Sequence, residues 1–214
     1  MMDRLPGDTS QNCESTRLWN AVGGDHGFYI DIGAGHPIDL NVTNLFYNRG
    51  WTGINIEPGP YGILYQSARV QDQNAEVAIS CFKGALPWSD SPVHPDLSGH
   101  TFAGEKRLPC NTLASFSGFI HQEVSFIKVD VEGTERDVLI GNDWQAIRPL
   151  VWCIEAIDAT TLQQNNEHWE WILLDNGYEC AYFDGINRFY YRNDRPELAE
   201  KLQVELPTLR EYPR

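Results

Sequence analysis

The chain has 214 residues, a formal net charge of -14, and 42% hydrophobic and 12% aromatic content. That length and apolar content suit one folded domain over residues 1–214 with a full core, and they exclude a disordered chain. The acidic balance argues against a nucleic-acid groove or an anionic membrane surface, since both need clustered Lys and Arg, and no apolar run reaches the length of a membrane span.

Residues 1–12 are polar and lack the apolar centre of a secretory signal, so a flexible N-terminus is expected there. The five cysteines, Cys13, Cys81, Cys110, Cys153 and Cys180, are odd in number, dispersed and without C-x-x-C spacing. They read as the reduced thiols of a cytoplasmic protein, not as a disulfide or zinc framework. A helix over 14–22 leads into a strand at 28–32, and Val42, Leu45 and Phe46 fall at helical spacing over 42–49, with Gly50 as the stop. Further strands are predicted at 52–57, 73–82, 124–130 and 150–155, with helices at 60–70, 112–119, 134–139 and 167–174. Residues 85–107 lapse into Pro, Ser, His and Gly and read as a surface insertion, either a lid or an acceptor-binding segment. Segments 177–184 and 188–192 form a closing antiparallel pair. The β–α alternation predicts an α/β fold, a mostly parallel sheet with an antiparallel edge strand and helices on both faces.

The first strand runs into Asp31-Ile32-Gly33-Ala34-Gly35. Glycines at such a turn take positive φ or let a ligand lie against bare backbone, at the crevice where open α/β sheets bind nucleotides. The third glycine of the dinucleotide fingerprint is missing, because His36-Pro37-Ile38 follow. A carboxylate at the strand end repels a pyrophosphate but suits the ammonium and sulfonium of S-adenosylmethionine. Glu57 lies at the spacing where an acid meets ribose hydroxyls, which supports adenosine without separating this ligand from NAD. Asp31, Glu57, Asp130 and Glu155 together put an acid at four strand ends.

The blocks Gly27–Ala34, Gly50–Pro58, Phe126–Glu135, Arg148-Pro149 with Ile154-Glu155, and Phe183–Tyr190 resemble, in order, those of the FkbM family of S-adenosylmethionine-dependent methyltransferases. The resemblance covers about residues 10–191. It implies a Rossmann-like class I methyltransferase fold with sheet order 3-2-1-4-5-7-6, and O-methylation of a hydroxyl on a sugar, glycan or secondary metabolite. It also implies that Asp31, Gly33, Ala34 and Gly35 hold the methionine end of the cofactor, Glu57 the ribose, and Val77-Ala78 the adenine edge. Asn41 and Thr43 either hydrogen-bond the methionine carboxylate or cap the following helix.

Methylation of an alcohol needs the acceptor held in line and its proton removed. Asp130, Glu132, Glu155 and His36 are candidate bases. Asp130, Glu132 and Glu155 could instead hold a divalent cation such as Mg²⁺. Lys128 reads as a structural ion-pair partner inside an apolar strand. Asn187 and Arg188, on the closing hairpin, and His100 are candidate acceptor contacts. The alternatives are an NAD-dependent oxidoreductase or epimerase, and a non-catalytic domain that keeps the S-adenosylmethionine pocket.

Overall fold

The computed structural model describes residues 2–89, 99–100, 106–158 and 161–207. Its main sheet has seven strands: β1 (Phe28–Ile32), β2 (Thr52–Ile56), β3 (Gln73–Ala75), β8 (Phe126–Val129), β9 (Val151–Glu155), β10 (Tyr178–Phe183) and β11 (Asn187–Arg192). They lie in the order β10-β11-β9-β8-β1-β2-β3. Renumbered within this sheet and read from the other edge, that is 3-2-1-4-5-7-6. β1, β2, β3, β8 and β9 are parallel; β11 runs antiparallel to β9, and β10 antiparallel to β11. The antiparallel member thus sits one strand in from the edge.

Strand alternation sends successive side chains to opposite faces, and each face has its own core. Ile30, Ile54, Ile127, Trp152 and Ile154 pack with Val138 and Leu139 of α4 (Glu135–Ile140) and Ile172 and Leu173 of α5 (Glu170–Asp175). Tyr29, Phe126, Val151 and Phe189 face α1 (Glu14–Val22), α2 (Asn44–Tyr47) and α6 (Glu197–Leu202). The helix α3 (Gly62–Ala68) follows β2.

The segment 73–82 does not form one strand. After β3 it enters a second, four-stranded sheet, ordered β4-β7-β5-β6, through β4 (Ala78–Ile79). The cause is packing: Ala78 joins Leu86 and Cys110 in a small apolar cluster, while Ile79 still reaches the main core. β5 (Gly84–Ser89) and β7 (Lys106–Asn111) are antiparallel arms of this sheet, with the short β6 (Gly99–His100) beside β5. The ends of the expected 85–107 insertion are therefore strand, their alternation masked in sequence by Pro87 and Pro109. Residues 90–98 and 101–105 lie outside the described residues, His94 among them. Residues Leu113–Phe119 form a 3₁₀ helix in place of an α-helix, and α6, behind Pro196, was not expected.

The expected flexible N-terminus is instead tied down. The Asp8 carboxylate accepts bonds from the Ser10 amide (2.9 Å) and hydroxyl (2.5 Å) and from the Thr16 amide (3.0 Å) and hydroxyl (2.5 Å). Ser10 bridges to Leu40, and Asn12 Nδ2 donates to the Asp184 carbonyl at 2.7 Å. Asp8, Ser10 and Asn12 are all buried. Such polar groups need internal partners, and that need holds the segment across the carboxyl rim of the sheet.

Candidate functional site

The strand register gathers the polar residues into two rows on the α1 face. Asn55, Asp31, Lys128 and Cys153 stand side by side across β2, β1, β8 and β9. Two residues further along each strand lie Glu57, Gly33, Asp130 and Glu155, with Asn187 opposite Glu155. Three of the four strand-end acids, Asp31, Asp130 and Glu155, therefore share one crevice with Lys128.

The glycine turn is rigidly made. Gly33 (φ 70) and Gly35 (φ 60) both take the left-handed region, and a Cβ on Gly33 would overlap the Asp130 carbonyl oxygen. The amides of Gly33 and Ala34 donate to the Ile56 carbonyl at 2.9 and 3.2 Å. Glu57 closes the turn, accepting from Gly35 at 2.9 Å and Gly59 at 2.6 Å. Each of its oxygens keeps a further lone pair for a hydroxyl. Burial pushes Glu57 upward, opposed by those two amide bonds.

Asp31 is buried. Its Oδ2 accepts from the Thr43 hydroxyl at 2.9 Å, while its buried Oδ1 has no partner. Burial raises its pKa, while Lys128, Thr43 and Arg69 pull the other way. An orphaned buried carboxylate oxygen beside an open glycine turn fits a cationic ligand such as S-adenosylmethionine. Val77 lies where the chain leaves β3 for β4, and Ala78 is paired with Cys110 of β7.

Asn41 and Thr43 stand behind this turn, fully buried. Asn41 Nδ2 donates to the Ala34 carbonyl and the Tyr65 hydroxyl at 2.9 Å each, and its Oδ1 accepts from Thr43 and Arg69. Thr43 makes no side-chain cap bond to α2. Both expected roles, ligand contact and capping, give way to bracing of the loop. Arg69 completes the brace by donating to the Pro37 carbonyl at 2.6 Å, and Tyr65 by donating to Ala34 at 2.8 Å. Neither Tyr65 nor Arg69 was anticipated, since nothing local in the α3 segment marks a partner some thirty residues back.

At the crevice floor Lys128 Nζ donates to Asp130 Oδ2 at 2.8 Å and reaches the Gly33 carbonyl at 3.5 Å. Burial alone would lower its pKa, but Asp130 and Asp31 outweigh that, and it ends well above the ordinary lysine value. For Asp130 burial pushes upward, yet Lys128 and a hydrogen bond from Glu155 hold it below the ordinary carboxylate value. Its side chain is 34% exposed. Burial and the charge of Asp130 drive Glu155 the other way, far above the ordinary value. The pair thus shares one proton, held by Glu155. The alternation Lys128-x-Asp130 is the signal by which sequence could have put these two on one face.

One oxygen from each of Asp130, Glu132 and Glu155 lies within 4.8 Å of the others. The set does not fit a divalent cation. Lys128 already compensates Asp130, and Glu155 keeps a proton that a metal would have to expel. Glu132 takes φ 54, and Glu135, at the start of α4, accepts the Gly133 amide at 3.1 Å.

Three further expectations are corrected. His36 Nδ1 accepts the Asp39 and Ile38 amides at 3.0 and 3.3 Å. That puts the neutral ring's proton on Nε2 and leaves no free basic nitrogen. Asn187 is buried and donates to Glu14 at 2.9 Å, so it braces α1 and does not face an acceptor. Arg188 points to the opposite face of the sheet, where it pairs with Glu170 at 3.2 Å and Gln164 at 2.8 Å. His100 lies in β6, paired with Trp88.

No helix among the described residues is long and apolar enough to cross a membrane. None of the curated proteins matches this chain. Among solved structures, a precorrin-6y C5,15-methyltransferase from Geobacter metallireducens superposes with a TM-score of 0.43 at 12% identity, covering 84% of this chain and 87% of that one. The model of the methyltransferase FkbM domain matches residues 31–180, which hold the glycine turn, the four strand-end acids and Lys128. The chain therefore belongs to the FkbM family of methyltransferases, an activity that implies S-adenosylmethionine as the methyl donor.

Proposed function

We propose that this protein methylates a hydroxyl oxygen on a sugar, glycan or hydroxylated secondary metabolite, with Asp130 as the proton acceptor. The observation that carries the reading is the state of Asp130: an ionised, part-exposed carboxylate at the carboxyl end of β8, beside the glycine turn. An alcohol is a poor nucleophile until its proton is taken, and a carboxylate within reach can take it as the oxygen attacks. When bound, S-adenosylmethionine supplies an activated methyl group.

Asp31, the 33–35 turn and Glu57 are the residues that would hold the cofactor, with Val77 and Ala78 toward its adenine. Asp130 receives the hydroxyl proton on its carboxylate, and Glu155 donates a hydrogen bond that keeps Asp130 oriented. The acid-rich crevice and the net charge of -14 favour neutral or cationic acceptors over anionic ones. Incubation with methyl-labelled S-adenosylmethionine and a panel of sugars, glycans and hydroxylated metabolites, read by mass spectrometry, tests this. Label on an acceptor oxygen is expected. Label found on nitrogen or carbon across the panel would sink the O-methylation reading.

A further inference from the structure

Lys128 sits in the middle of a parallel sheet at 8% exposure. A lysine there is costly unless its charge is matched. Its flanking residues across the register are Asp31 and Cys153, and its ammonium extends past them toward the carboxyl rim. There it joins two parts of the site that are far apart in sequence: the carbonyl of Gly33 at 3.5 Å and the carboxylate of Asp130 at 2.8 Å. The ionisable groups around this ammonium and carboxylate are Asp31 from β1, Glu57 after β2, Glu132 and Glu135 from the β8–α4 junction, and Cys153 and Glu155 from β9. Several acids thus crowd one ammonium, and the one in direct contact with it is Asp130.

We infer that Lys128 is a positioning residue for methyl transfer: its ammonium holds Asp130 as the ionised member of the Asp130–Glu155 pair and ties that carboxylate to the glycine turn, in the place a divalent cation takes in other acid clusters. The inference deepens the proposed function and rests on Asp130 as the proton acceptor. Lys128 touches no reacting atom; it acts through Asp130.

The test compares wild type, Lys128→Met and Lys128→Arg. The acceptor-dependent rate is followed from pH 5 to 9, and S-adenosylmethionine affinity by calorimetry. Lys128→Met is expected to lower kcat by about 10²-fold and to move the acid limb of the rate profile up by about one pH unit or more. Lys128→Arg keeps the charge and is expected to return the limb to its wild-type position. A Lys128→Met enzyme whose limb does not move overturns the inference, whatever its rate, because that pattern belongs to a merely structural lysine.

Infrared difference spectra at neutral pH give a readout without turnover and without Lys128→Met, should that variant fail to fold. An acid carbonyl band from Glu155 is expected in wild type and Lys128→Arg, and its loss in Glu155→Gln. If Glu155→Gln removes no such band, the inference falls. If instead Asp130→Asn keeps full turnover, the proton-acceptor reading falls by itself, and the band still reports on the pair.

Discussion

Glu155 keeps its proton and gives it in a hydrogen bond to Asp130, so two acids at neighbouring strand ends carry opposite charge states. Burial alone would raise both; the ammonium of Lys128, 2.8 Å from Asp130, breaks the symmetry. The expected consequence separates them in mutagenesis. Glu155→Gln, whose amide can donate the same bond, keeps a rate within about threefold of wild type. Asp130→Asn lowers kcat by about 10²-fold or more. Steady-state rates of the two variants check this, and equal losses would reject the division of roles.

Asp31 has one oxygen on Thr43 and the other without a protein partner. A bond from a charged ligand group to such an oxygen is worth about 1.5–3 kcal/mol. Asp31→Ala is therefore expected to weaken S-adenosylmethionine binding by about tenfold or more in calorimetry. Unchanged affinity would remove Asp31 from the cofactor site.

Gly33→Ala meets two obstacles at once. The residue holds φ 70, and the added methyl would overlap the Asp130 carbonyl oxygen. The left-handed region alone costs an alanine about 1–2 kcal/mol, and backbone displacement adds to it. A fall in melting temperature together with lost cofactor binding is expected, measured by thermal denaturation and calorimetry.

Glu14 begins α1 fully inside the protein, accepting the Asn12 amide at 2.6 Å and Asn187 Nδ2 at 2.9 Å. Burial and the nearby Asp184 push its pKa from 4.5 up to about 7. Over that window the folded protein keeps a proton that the unfolded chain has released, so stability falls as pH rises from about 4.5 through about 7. Melting temperature should therefore decline from pH 5 to pH 8. Glu14→Gln should flatten the decline, and an unchanged slope would show that Glu14 does not carry it.

The Lys128–Asp130 contact also bears on metal dependence. With the ammonium in place, chelation by EDTA is expected to leave the transfer rate unchanged. A rate lost on chelation and restored by Mg²⁺ would reinstate the acid triad as a cation site.

Much of the scaffold was legible because its signals are local. The apolar run 28–32, the two glycines after Asp31 and the acids ending β2, β8 and β9 each lie within a few residues of what they specify. The strand order followed from the resemblance and is the order observed. The small sheet was hidden because Pro87 and Pro109 interrupt its alternation and because β4 pairs with β7 more than thirty residues away.

From its residue pattern alone, this protein was committed to a parallel α/β sheet with a glycine turn and acids along one rim, since strand period and positive φ are properties of adjacent residues. Only the tertiary structure chose among those acids. It gave the charge to Asp130, the proton to Glu155 and an orphaned oxygen to Asp31, and it turned His36, Asn187 and Arg188 to other partners. The reason is physical: charge state depends on burial and on Coulomb forces over a few ångströms, between groups that the chain itself keeps up to a hundred residues apart.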